Sequence, residues 1–206
     1  MKVYRPTREL LAEVDRALAT PNLYVRRELP LEDTVQLLYA GRHYFWIGIY
    51  LLIGDNVVRQ VFRGPAPVGQ GYSLGSGSVG VAAQTGISQV IPDVSRQTGH
   101  RHAGYGEAFA RTQSEIAVPI KIAGRVLGVI DVQSDKLNAF SYGDRVFLKN
   151  VAQRLAKFLT GRGKYVVRKA REAAAKEKKI ETRGYQPASE KPSAKAIAVG
   201  AERSRR

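Results

Sequence analysis

Apolar positions recur at helical spacing in the first forty residues. Leu10, Leu11, Val14, Ala17 and Leu18 predict an amphipathic helix over residues 7–19, capped by Thr7 and stopped by Pro21. Val35, Leu38 and Tyr39 predict a shorter helix over 31–40, ended by Gly41. The period then changes. Residues 44–52 are aromatic and β-branched, Gly54, Asp55 and Asn56 supply a turn, and 57–62 read as the returning strand. Residues 64–80 hold six glycines and read as a loop, after which Ser78 caps a short helix over 79–85 that ends at Gly86. A short strand over 87–91 leads into a long polar loop from Pro92 to about Gln113, a length usually associated with function or disorder.

A second hairpin follows. Ile116, Val118, Ile120 and Ile122 alternate with Ala117, Pro119 and Lys121, and Ala123-Gly124 turns the chain. Val126, Gly128, Ile130 and Val132 then line one face of the returning strand, with Leu127, Val129, Asp131 and Gln133 on the other. Pro119 has no amide proton, so its strand should be an edge or be interrupted there. Ser141 caps a long helix with Val146, Phe147, Asn150, Val151, Leu155, Phe158 and Leu159 as its stripe. Two antiparallel hairpins with flanking helices predict an α+β layered domain over residues 1–160, not a parallel doubly wound sheet. Residues 161–206 read as a basic extension, helix-prone to about 181 and disordered beyond.

Composition removes several chemistries. The chain has no cysteine, which excludes disulfides, thiolate catalysis, thiolate zinc sites and iron–sulfur clusters. Three histidines, His43, His100 and His102, make a poor metal set, so neither metal nor cofactor is expected. The signatures HExxH, GxSxG and GxxxxGK[ST] do not occur. No apolar run approaches the ~18 residues of a membrane span, and the N-terminus has no signal-like apolar core, so a cytoplasmic protein is expected. The net charge of +15 is uneven. Residues 161–206 carry 14 Lys/Arg against 5 Asp/Glu, the remainder 19 against 13. The extension is thus a candidate for nucleic acid or an acidic partner, or a solubilising tail.

Several strings, taken in order, resemble the GAF domain and, within it, the free methionine-R-sulfoxide reductase branch. They are Trp46-Ile47-Gly48-Ile49-Tyr50, Gly75-Ser76-Gly77-Ser78-Val79-Gly80, Ile91-Pro92-Asp93-Val94, Gly99-His100, Ser114-Glu115-Ile116-Ala117-Val118-Pro119 and Gly128-Val129-Ile130-Asp131-Val132-Gln133-Ser134, with Phe140 and Asp144 at the last helix. The resemblance implies a six-stranded antiparallel sheet with terminal helices on one face and pocket-closing loops on the other. It also implies that Trp46, Tyr50, Glu115 and Asp131 hold a small polar ligand. Gln133 stands where the family has a third acid, and Val79 where it has a cysteine. Sulfoxide reduction needs one thiolate to attack sulfur and a second thiol to resolve the product, so the absence of cysteine excludes thiol-dependent methionine sulfoxide reductase activity for this chain.

Each candidate has a plainer reading. Trp46 and Tyr50 share a strand face and could be core, while Glu115 and Asp131 could face water instead of a pocket. Arg96, His100, Arg101, His102 and Arg111 could clamp an anion or decorate a solvated loop. The sequence favours a non-catalytic, dimeric, small-molecule-sensing regulator with Trp46, Tyr50, Glu115, Asp131, Gln133, Val79 and His100 as its ligand site. A cysteine-free enzyme using Glu115 and Asp131, or a nucleic-acid-associated protein acting through the extension, are the alternatives.

Overall fold

The computed structural model describes residues 4–19, 29–65, 71–97 and 111–184. Helix α1 (Thr7–Ala19) buries Leu10, Val14 and Leu18, the predicted stripe. Thr7 opens it, and its hydroxyl accepts a hydrogen bond from Arg42 Nη2 at 2.9 Å. Helix α2 (Leu29–Gly41) leads to β1 (Trp46–Ile53), β2 (Asn56–Arg63) and the short β3 (Gly71–Ser73). Helix α3 (Gly77–Thr85) and β4 (Gln89–Ile91) follow, then a single 3-10 turn at Val94–Arg96. The second hairpin is β5 (Ser114–Ile122) and β6 (Arg125–Ser134), and helices α4 (Tyr142–Thr160) and α5 (Lys164–Gly184) complete the chain's described part. Among the described residues no helix is long and apolar enough to cross a membrane.

The six strands form one sheet in the order β3-β2-β1-β6-β5-β4, antiparallel throughout. The fold is α+β, as the two hairpins predicted. Strand β4 flanks β5 only as far as Ala117, so β5 is an inner strand that becomes an edge at Pro119. A residue without an amide proton is tolerated in that position.

Strict alternation divides the sheet. Ile47, Ile49, Leu51, Ile116, Val118, Ile120, Ile130 and Val132 point to one side and are buried with Leu10, Val14, Leu38, Phe147, Val151 and Leu155 of the helices. Each such side chain stabilises the fold by about 1.5–3 kcal/mol through apolar burial. Ser141 closes a capping box at the start of α4: its hydroxyl accepts from the Asp144 amide, and the Asp144 carboxylate accepts from the Ser141 amide. The first turns of α5 join the same core through Val166 and Ala170.

Arg42 is a buried cation sandwiched between two rings. Its guanidinium lies 4.2 Å from the Tyr4 ring centroid and 4.4 Å from that of Phe147, and it donates to the Arg5 carbonyl. The contact ties the N-terminal segment to the start of α4. Beside it, burial holds the Tyr44 phenol well above its usual range.

Candidate functional site

The opposite face of the sheet is where the chemistry-bearing residues gather. Register alone places them. Trp46 of β1 pairs with Gln133 of β6, and Gln133 pairs with Glu115 of β5. Two residues on, Gly48 pairs with Asp131 and Asp131 with Ala117. Tyr50 then pairs with Val129. Period-2 alternation therefore puts Trp46, Tyr50, Glu115, Asp131 and Gln133 on one face of three neighbouring strands. All five are buried. The plainer reading of Glu115 and Asp131 as carboxylates facing water does not hold.

Gly48 makes room for the tryptophan. The indole folds along β1 over Gly48, where a Cβ would collide with its Cη2. The ring lies 6.1 Å from that of Phe62 at 15° and 6.3 Å from that of Tyr50. Val79, Ala82 and Ala83 of α3 pack into the same cluster. Val79 is thus an apolar wall of this cluster.

A hydrogen-bonded chain crosses the polar part of this face. Thr112 Oγ1 donates to Gln133 Oε1 at 2.8 Å, and Gln133 Nε2 donates to Asp131 Oδ2 at 3.1 Å. On the other side, the Ser78 hydroxyl donates to Glu115 Oε1. Asp131 Oδ1 is buried and meets no donor among the described residues. Burial above all, then the neighbouring Glu115 carboxylate, drives the Asp131 pKa well above the carboxylate range. Asp131 therefore keeps its proton at pH values where an exposed aspartate has lost it.

Ser78 and Thr112 were not legible as site residues. Ser78 reads as a helix cap, but left-handed Gly75 (φ 77°) and Gly77 (φ 61°) start α3 earlier. Ser76 occupies the N-cap without a side-chain bond, and Ser78 falls in the first turn facing Glu115. Only the meeting of residues 37 apart in sequence reveals its partner. The predicted cationic clamp is not assembled by the described residues. Arg96 pairs with Asp93 at 3.2 Å, and Arg111 pairs with Asp135 at 3.6 Å while lying over the Phe45 ring. His100, Arg101 and His102 lie outside the described residues. Among the described residues no cluster of three His, Asp or Glu could hold a metal ion.

The GAF domain family model matches residues 35–160. The chain belongs to the GAF domain family. It is 33% identical over 147 residues to GAF domain-containing protein A of Dictyostelium discoideum, covering 71% of this chain and 87% of that protein. It is 34% identical over 116 residues to the free methionine-R-sulfoxide reductase of Saccharomyces cerevisiae, covering 54% of this chain and 61% of that protein. The structure resembles that of the Neisseria meningitidis free methionine-R-sulfoxide reductase in complex with its substrate. The TM-score is 0.64 at 26% identity, over 78% of this chain and 96% of the other.

These likenesses correct the functional expectation. A non-catalytic sensory regulator was read from the missing thiols, yet the yeast and N. meningitidis proteins that share this GAF fold are enzymes. The reading equated the loss of one nucleophile with the loss of catalysis.

Proposed function

We propose that this GAF domain is an enzyme acting on free methionine sulfoxide or a close analogue, with Asp131 as general acid and an external thiol as reductant. The observation that carries the reading is the buried Asp131, hydrogen-bonded by Gln133 and set on the same sheet face as Glu115, Trp46 and Tyr50. Trp46 would form an apolar wall for the methylthio end of the substrate, and Glu115, oriented by Ser78, would accept from its ammonium group.

Asp131 would transfer its proton to the sulfoxide oxygen as the sulfur–oxygen bond breaks. Because the chain has no cysteine, the attacking sulfur must come from outside. One thiolate attacks the substrate sulfur, the oxygen leaves as water with a second proton, and a second thiol displaces methionine as a disulfide forms. The sulfoxide is reduced by two electrons, two thiols are oxidised, and Asp131 is reprotonated from solvent. Positioned acid catalysis of this kind is worth about 10²–10⁴-fold.

The test is release of methionine from free methionine sulfoxide with excess dithiothreitol, alongside calorimetric titration of the sulfoxide. Turnover above the protein-free rate, reduced about 100-fold or more in Asp131→Asn with binding retained, is the expected result. A heat-silent titration together with no excess turnover would overturn the proposal.

A further inference from the structure

We propose that the outward face of α5, together with the α4–α5 junction, binds the phosphate backbone of nucleic acid without reading its sequence. The helix is fixed on the domain, since Val166 and Ala170 are buried in the core. Gly163, just before it, sits so close to the Phe158 ring that a Cβ would collide with it. With that side taken, Lys164, Arg168, Lys169, Arg171 and Lys176 are exposed. Over residues 164–176 the single carboxylate is Glu172, 3.8 Å from Arg168.

Spacing and continuity suit a polyanion. At 1.5 Å per residue, Lys164 and Lys176 lie about 18 Å apart, the axial length of about five phosphates on one strand of a duplex. Toward the N-terminus, exposed Lys157 and Arg162 border a cleft of about 580 Å³ between the ends of α1 and α4. Toward the C-terminus the sequence continues with Lys178, Lys179 and Arg183, interleaved with Glu177 and Glu181. The excess of 14 Lys/Arg over 5 Asp/Glu across 161–206 therefore begins on an ordered helix.

The same geometry separates nucleic acid from other polyanions. An amphipathic helix that enters a bilayer needs a free apolar face, and Tyr165, Val166, Val167 and Ala170 in the first two turns of α5 are spent on the core. Tyr165, the one aromatic residue of this helix, packs partly buried against that core and gives no platform for stacking bases. What remains is charge, which recognises phosphate and not base edges.

Fluorescence anisotropy of the full chain with labelled duplex DNA and RNA of about 20 base pairs tests this across a salt series from about 50 to 300 mM. Expected are binding at the lowest salt, indifference to shuffled sequence, and a log K against log salt slope of about −4. The triple variant Lys164→Gln, Arg168→Gln, Arg171→Gln should bind at least about 10-fold more weakly with a slope shallower by about 3, and unfold at the same temperature. Absence of binding at the lowest salt overturns the proposal. So does unchanged affinity in the triple variant, or tighter capture by phosphatidylserine vesicles than by the duplexes. Titration with free methionine sulfoxide, whose site lies on the far face of the sheet, should be the same in variant and parent.

Discussion

On strands β1, β5 and β6, residues one step apart meet opposite surroundings. Ile49, Ile116 and Ile130 face the helices and are buried in an apolar cluster of aliphatic and aromatic side chains. Gly48, Glu115 and Asp131, their immediate neighbours, face α3 and the aromatic cluster. Both sets of residues are buried, yet their energetics have opposite sign. Burying an isoleucine gains transfer free energy, while burying a carboxyl costs it, most of all when ionised and less when protonated and hydrogen-bonded. The helix face holds the domain together, and the other face stores a proton at the expense of some of that stability.

The comparison breaks hardest on the helix face. Ile130→Ala should cost about 2–5 kcal/mol, because the surrounding core cannot collapse into the space. Urea unfolding measures it, and a loss under about 1 kcal/mol would mean that the face is loosely packed.

Gly48→Ala should cost less, about 1–3 kcal/mol, by forcing the indole off β1. Trp46 is the chain's one tryptophan, so its emission maximum reports the displacement directly. An unshifted spectrum would show that the ring does not rest on Gly48.

The third effect depends on pH. Because the folded pKa of Asp131 is raised, the folded chain holds a proton that the unfolded chain releases near the ordinary carboxylate range. The stability this group contributes is therefore complete below that range. It falls by at most about 1.4 kcal/mol per pH unit as pH climbs toward the raised value, and is lost above it. Asp131→Asn should remove this slope and equal or exceed the parent in stability at pH 8, as thermal unfolding from pH 4 to pH 9 will show. An undiminished slope in the variant would place the buried proton elsewhere.

Much of the framework was legible before the fold was known. Alternation over 116–122 and 126–133 identified both strands and their opposed faces, and the α1 stripe of Leu10, Val14 and Leu18 is buried as predicted. Boundaries moved by a residue or two: α2 starts at Leu29 and β4 at Gln89. The candidate site was legible in part, since Trp46, Tyr50, Glu115, Asp131 and Gln133 do share one face. Ser78 was hidden because a serine before a helical segment signals a cap on local grounds alone.

The sequence by itself determined the elements, the two-faced strands, the missing thiols and the basic extension. All of these depend on residue type and short-range spacing. Tertiary structure decided the rest. It set the register that brings Glu115 beside Asp131, the burial that raises the Asp131 pKa, and the ring sandwich around Arg42. Desolvation and charge coupling depend on what surrounds a group in three dimensions, and that environment is assembled by residues far apart in the chain.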